Sequence, residues 1–450
     1  MSNQIKRPAG PDGGVYGLGN LINFQRDTLG FLSKAAENYG DITHYQMAAF
    51  HFYQLNHPDL VYEVLIKNNK KIEKWGRQTD TWANAVGHST LTMEGDKWKK
   101  HRNILNPAFH SQTVKRYNEI IIRHTERLLN RWQDGEIYEM MFEMMRTTMG
   151  IIADIIFSVE DIERDAADLN QALTSVFEVL TARTTAFQQL PPWLPTRDNL
   201  RIRNATKVIE SFILDLIRKR RAEEKDYGDI LSDLISATDE ETGEQLTDQE
   251  ILYELKTLFG AGHETTALML MWTLYLLSIN PEEQSKLYEE VDSLLSRRAP
   301  TLDDIPYLEY TDKVIHESMR VFPPAWSLMV RKALDDIEIS DTTIPKGSVL
   351  MIPMWVVHRN PKIYQDPLRF DPERFTGDWK KDLPKYAFFP FGGGPHVCVG
   401  SHLAMFEGHL MLPMMIQRYR YEYTPQPELN LQALLTLRPK GGLYLKVIAR

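Results

Sequence analysis

The chain has 450 residues, 43% hydrophobic and 25% charged, with a formal net charge of −9. This is the balance of a globular protein, and it excludes the strongly basic surface that a nucleic-acid binder needs. Its single cysteine excludes an internal disulfide and any multi-thiolate zinc or iron–sulfur centre.

The N-terminus, Met1 to Gly14, is polar and rich in Pro and Gly, with neither a signal-peptide core nor an anchor helix. Short β-type runs follow (Thr43 to Tyr45, Phe50 to Leu55), then a helix after Pro58. Gly76 to Gly95 has weak periodicity and reads as a loop with short helical pieces. From Gly95 to about Asn280 apolar residues recur at three- and four-residue spacing, for example Ile120, Ile121, Leu128 and Leu129, which predicts helices. Pro191 to Pro195 breaks that stretch as an irregular connection. The most apolar run, Ala267 to Ile279, falls short of the roughly 20 residues of a membrane span. β segments are expected at Ile337 to Ile339 and Val349 to Ile352. A long loop then runs from His358 to Phe391, followed by a helix from about Gly400 to Tyr419 and a β end with Leu443 to Val447. No linker, repeat or low-complexity tract divides the chain. Residues 1–450 are therefore expected to form one mainly α domain with small β-sheets, monomeric and cytoplasmic.

Phe391-Gly392-Gly393-Gly394-Pro395-His396-Val397-Cys398-Val399-Gly400 carries the strongest chemical signal. Three successive glycines suit positive φ and close approach to a flat ligand rather than a helix or strand. A cysteine just before a helix has backbone N–H groups and a positive dipole end near its sulfur, and both stabilise a thiolate. A lone cysteine is ordinarily a small buried hydrophobe; the complete pattern F-x-x-G-x-x-x-C-x-G argues against that here. The decapeptide resembles the haem-binding loop of the cytochrome P450 superfamily. The resemblance implies a triangular helical prism holding haem b between a long distal helix and the Cys loop. Cys398 would be the axial ligand of the iron and Phe391 part of the haem contact. The family usually has Arg where this chain has His396, which would contact a haem propionate with a pH-dependent charge.

Three further motifs extend the resemblance to almost the whole chain. Glu317 and Arg320 share one helical face and alone would pass for a surface pair worth a few tenths of a kcal/mol. With Arg374 they resemble the family's buried Glu–Arg–Arg triad, a structural lock behind the haem. Ala261-Gly262-His263-Glu264-Thr265-Thr266 lies in a long apolar helix, about Asp248 to Asn280. There the mid-helix Gly260 and Gly262 each cost about 1 kcal/mol relative to Ala. The resemblance implies a locally opened groove over the haem, in which Glu264 relays protons and Thr265 supplies the hydrogen bond that promotes O–O cleavage. Trp98 and Arg102, four apart on one face, resemble the family's propionate contacts, and Arg331 is a further candidate.

The resemblance implies a haem-thiolate mono-oxygenase. It would insert one atom of O2 into a lipophilic small molecule, by hydroxylation or epoxidation, using an external ferredoxin or flavodoxin with its reductase. A peroxide-driven peroxygenase and a non-catalytic haem sensor or carrier are the alternatives; the intact Glu264-Thr265 pair speaks against both. Neither nucleic acid nor a membrane span is expected. Substrate-lining segments are expected at Gly76 to Glu94 (with Trp82), Phe177 to Leu190 (with Phe177, Arg183 and Phe187), Leu258 to Thr265, Ala325 to Met329 (with Trp326) and Leu435-Thr436. Helical geometry turns Lys97, Lys99 and Lys100 away from Trp98 and Arg102, so these lysines are expected to form a basic patch for an acidic electron donor.

Overall fold

The periodic apolar text becomes helix, as a computed structural model of the chain shows. It describes residues 7–160, 193–223, 225–239, 241–426 and 429–450, with positions 169, 171, 172, 175, 176, 179, 180 and 191. The 32-residue central helix, Asp248–Ile279, is buried along most of its length. Its near-continuous apolar surface is what a helix surrounded by protein requires. Thr247 starts it with a capping box: the Thr247 hydroxyl accepts from Glu250 N–H, and the Glu250 carboxylate accepts from Thr247 N–H. Helix Met140–Phe157 packs along it, and helices Arg197–Glu223, Glu309–Val321 and Ser401–Arg418 also contact it. The helix runs unbroken through Gly260 and Gly262 rather than opening into the expected groove. A Cβ at Gly262 would stand 2.8 Å from Ile152 Cδ1, so that glycine serves the close approach of two helices.

The sheets are small. Strands β1 (Ile42–Met47), β2 (Phe50–Leu55), β3 (Ile72–Lys74), β5 (Arg331–Ala333) and β8 (Val349–Met351) form one sheet in the order β1-β2-β8-β5-β3. Here β4 is Ile137–Glu139, β6 Ile337–Ile339 and β7 Thr342–Ile344; the last four strands are β9 (Tyr419–Tyr423), β10 (Leu431–Ala433), β11 (Leu437–Pro439) and β12 (Tyr444–Ala449). β4, β12 and β9 make a three-stranded sheet, and β6–β7 and β10–β11 are two-stranded. The mainly α architecture with small sheets agrees with the sequence reading. Among the strands the reading missed are the three-residue β3, β4, β5, β7 and β10, too short to carry an alternation pattern. It also read Gly76 to Gly95 as a loop with short helical pieces, whereas Gly76–Val86 is one 11-residue helix whose buried face includes Thr79, Trp82 and Val86. A threonine on the inner face hides the apolar period. Among the described residues no helix is long and apolar enough to cross a membrane.

Candidate active site

The Gly-rich segment folds into a tight loop. Gly392 and Gly394 take φ of +75° and +67°, and a Cβ at Gly394 would fall 2.7 Å from the Leu65 carbonyl oxygen. Cys398 N–H donates to Phe391 O at 2.9 Å, tying the two ends of the loop together. Helix Ser401–Arg418 begins three residues later. The Cys398 side chain is exposed, yet burial among protein atoms pushes its thiol pKa up, opposed by the Gly400 N–H and by Arg102. The sulfur is thus crowded by protein atoms and still accessible, as a side chain that a bound group would cover. The central helix has a comparable spot: within its buried length Ala261 is exposed and Gly262 and Thr265 are half-exposed. An accessible sulfur and an accessible patch on an otherwise buried helix are surfaces that a flat apolar cofactor would cover.

Cations gather beside that sulfur. Arg102 is half-buried; burial lowers its pKa and the Cys398 sulfur raises it. Arg331 is buried on β5, where burial pushes its pKa down to about 10, opposed by Glu94. Its strand partner across the sheet is Lys74, also buried, with a pKa pushed down to about 8 by burial and opposed by Glu94. Lys74 and Arg331 thus share Glu94, Arg102 acts on Lys74 from the sulfur side, and among the described residues neither arginine has an ion-pair partner. Such an excess fits the two propionates of a haem. His396 does not simply take the place of the family's arginine. Its Nε2 lies 3.2 Å from Glu94 Oε2 and its ring packs on Trp98 at 4.2 Å, while Nδ1 has no hydrogen-bond partner. Burial lowers its pKa, against the pull of Glu94.

On the central helix, the Thr265 hydroxyl donates back to Ala261 O at 2.8 Å. Glu264 is buried; its Oε1 accepts from the Thr436 hydroxyl and from Arg438 Nε at 2.6 Å, and its Oε2 has no partner. Burial pushes its pKa up, but Arg438 outweighs this and holds the carboxyl below its usual range. Behind the Cys loop, Arg320 grips Glu317 with Nε and Nη2 at 2.6 and 2.7 Å, both side chains fully buried. Arg320 Nη1 donates to the carbonyls of His358 and Pro367. Arg374 Nε lies 3.4 Å from Glu317 Oε1, ion-pair range without a hydrogen bond. The structure thus brings Glu317, Arg320 and Arg374 together.

Of the expected lining, Trp82 is buried and Trp326 is pinned by its indole N–H to Leu434 O at 2.8 Å; Phe177, Arg183 and Phe187 lie outside the described residues. The basic patch does not hold as expected. Lys99 pairs with Glu241 at 2.8 Å and Lys100 with Glu244 at 2.6 Å, so two of its three charges are neutralised. Sequence reasoning missed Lys74, which sits in what looks like a solvated Lys-rich run, and Arg438, whose link to Glu264 spans 174 positions.

The fold and this site define a haem-thiolate oxygenase. The cytochrome P450 family model matches residues 8–447. The chain is 32% identical over 413 residues to a cyclooctat-9-en-7-ol 5-monooxygenase of Streptomyces melanosporofaciens, covering 92% of this chain and 89% of that protein. It is 30% identical over 438 residues to a pentalenene oxygenase of Streptomyces avermitilis, covering 97% and 96%. The crystal structure of a cytochrome P450DA mutant haem domain superposes with a TM-score of 0.89 at 26% identity, covering 99% of this chain and 98% of that one. The chain belongs to the cytochrome P450 family and is an oxidoreductase of the mono-oxygenase class.

Proposed function

We propose that the protein inserts one oxygen atom of O2 into a lipophilic organic molecule, using electrons from an external ferredoxin or flavodoxin. The crowded yet accessible Cys398 sulfur carries this reading. A haem bound there supplies O2 activation, favoured by the electron density of a thiolate ligand. Cys398 holds the iron, with the Gly400 N–H and Arg102 favouring its charged form. Arg102, Arg331 and Trp98 hold the propionates, while Lys74 adds positive charge and His396 acts from within its pair with Glu94. With its own proton given to Ala261 O, the Thr265 hydroxyl oxygen is left to accept a hydrogen bond at the exposed Ala261 face. Glu264, kept ionised by Arg438, offers its unpartnered Oε2 to water. The lining, from Leu258 through Leu328 and Leu435, favours an apolar substrate; cyclooctat-9-en-7-ol and pentalenene, named for the two Streptomyces relatives, are the first compounds to offer.

The test is spectroscopic. The reduced carbonyl complex of the wild type should show the red-shifted Soret band of a thiolate-ligated haem, and Cys398→Ser should lose it. An ordinary imidazole-type carbonyl spectrum in folded, active wild type would overturn the assignment. Titration with pentalenene and cyclooctat-9-en-7-ol should move the haem from low to high spin; if neither does, the apolar-substrate reading narrows to other lipophiles.

A further inference from the structure

Glu254, a second buried carboxylate on the central helix, plays no part in the chemistry above. Glu254, Leu258, Ala261 and Thr265 are spaced four, three and four residues apart and so share one face, with Glu254 upstream of the accessible patch at Ala261 and Thr265. Its side chain is fully buried. Oε1 accepts from Thr90 N–H at 2.7 Å and lies 2.8 Å from His101 Nδ1; Oε2 accepts from the Thr90 hydroxyl at 2.9 Å. One turn along the helix, the Thr257 hydroxyl donates to Ser89 Oγ at 2.8 Å. From the sheet, Lys74 Nζ donates to Thr90 O at 2.9 Å and Met93 O at 2.7 Å.

Thr90 is therefore gripped at its amide, hydroxyl and carbonyl by two buried charges of opposite sign, one from the helix and one from the sheet. Order alone does not call for this arrangement. Burying a carboxylate or an ammonium is costly, and apolar residues of similar volume often stabilise as well or better; what paired charges add is a single register. The same carboxylate reaches further. His101 lies on the helix Gly95–Leu105 that carries Trp98 and Arg102, and its Nε2 is 3.4 Å from Glu250. The loop 87–94, the propionate-side helix and the central helix meet at Glu254.

We infer that Glu254 and Lys74 are specificity-positioning residues. They clamp Thr90 and hold segment 87–94 closed against the site, which limits the bulk of ligand that it accepts. The inference rests on the accessible Cys398 sulfur and Ala261 patch marking the haem and substrate site. Its test uses the holoenzyme with imidazole and 4-phenylimidazole, followed by the Soret shift of a nitrogen-ligated haem, together with hydrogen–deuterium exchange of segment 87–94. If neither azole shifts the wild-type spectrum, the reading of the site fails, and the exchange data still judge the clamp. Glu254→Gln keeps the volume and removes the charge. It should lower the affinity for 4-phenylimidazole relative to imidazole about tenfold and speed exchange of the segment by a similar factor, the scale of a lost charged hydrogen bond. Thr90→Val keeps Glu254 and its contact with His101, and should act in the same direction more weakly. A merely stabilising role would lower the melting temperature and leave the ratio of the two azoles unchanged. Unchanged selectivity and exchange in both variants overturn the clamp; should Glu254→Gln fail to fold, Thr90→Val decides.

Discussion

Glu317 and Glu264 are both buried carboxylates held by arginine, and they differ in what is left over. Glu317 spends both oxygens: Arg320 takes one through Nε and the other through Nη2, and the Asp371 N–H joins at 2.9 Å. Glu264 spends only Oε1, on Thr436 and Arg438, and Oε2 has no partner. A buried group with every bond made fixes structure, whereas one with an unmade bond keeps capacity for water or a proton. The contrast separates a lock behind the Cys loop from a working group on the central helix. Glu407 extends the series, since it is buried with no arginine beside it among the described residues. There burial pushes its pKa up to about 8, against a hydrogen bond from Thr266, and its Oε2 is unpartnered.

The largest effect should come from breaking the lock. Glu317→Ala leaves Arg320 buried without its carboxylate and should cost about 3–5 kcal/mol in denaturant unfolding; a loss below about 1 kcal/mol would make the pair dispensable. Glu407 comes next. Unfolded, it ionises near its ordinary 4.5, and folded it keeps its proton to about 8. In that window the folded chain binds more protons, so the neutral group's contribution is full below the lower value and is lost as pH rises through about 8. Glu407→Gln should therefore overtake the wild type by up to about 5 kcal/mol as pH is raised across the window. Parallel stability–pH curves for the two proteins would refute this. Glu264→Gln should leave the fold intact and slow product formation about 10²-fold, the low end for a positioned proton-transfer group. Unchanged coupling of electron use to product would assign Glu264 to structure alongside Glu317. The smallest effect belongs to the surface. Lys97 is exposed and has no ion pair among the described residues, so Lys97→Glu should slow reduction by an acidic ferredoxin about twofold to fivefold at low salt. Lys99→Glu, at a site already neutralised by Glu241, should do less; the reverse order would place the docking surface elsewhere.

What the sequence revealed was local. The Cys398 loop and the Glu317–Arg320 spacing each lie within ten residues; the loop's pattern does little else, and the pair, ordinary by itself, gained meaning beside it. What it concealed was pairing across distance. Lys74 becomes part of the site only because β3 runs beside β5 and sets it opposite Arg331. Arg438 reaches Glu264 from a hairpin near the end of the chain. Thr90 looks like any loop threonine until Glu254, 164 positions away, accepts from it twice. Lys99 and Lys100 read as a free basic patch because nothing near them in sequence announces Glu241 and Glu244. Short-range pattern predicts elements, and these sites are built by strand registers and helix packing that no window of sequence contains.

The sheet order has a consequence for how the chain is made. β2 pairs in parallel with β8, and β3 pairs with β5, so strands from the first 74 residues wait for partners that begin at Arg331. At synthesis rates of roughly 5–20 residues per second, β3 emerges about 13 to 50 seconds before β5. Throughout that interval the edges of β2 and β3 have unpaired N–H and C=O groups and are open to pairing with other nascent chains. Ribosome-associated chaperones should therefore matter more for the first quarter of this chain than for its helical middle, whose contacts close nearer in sequence.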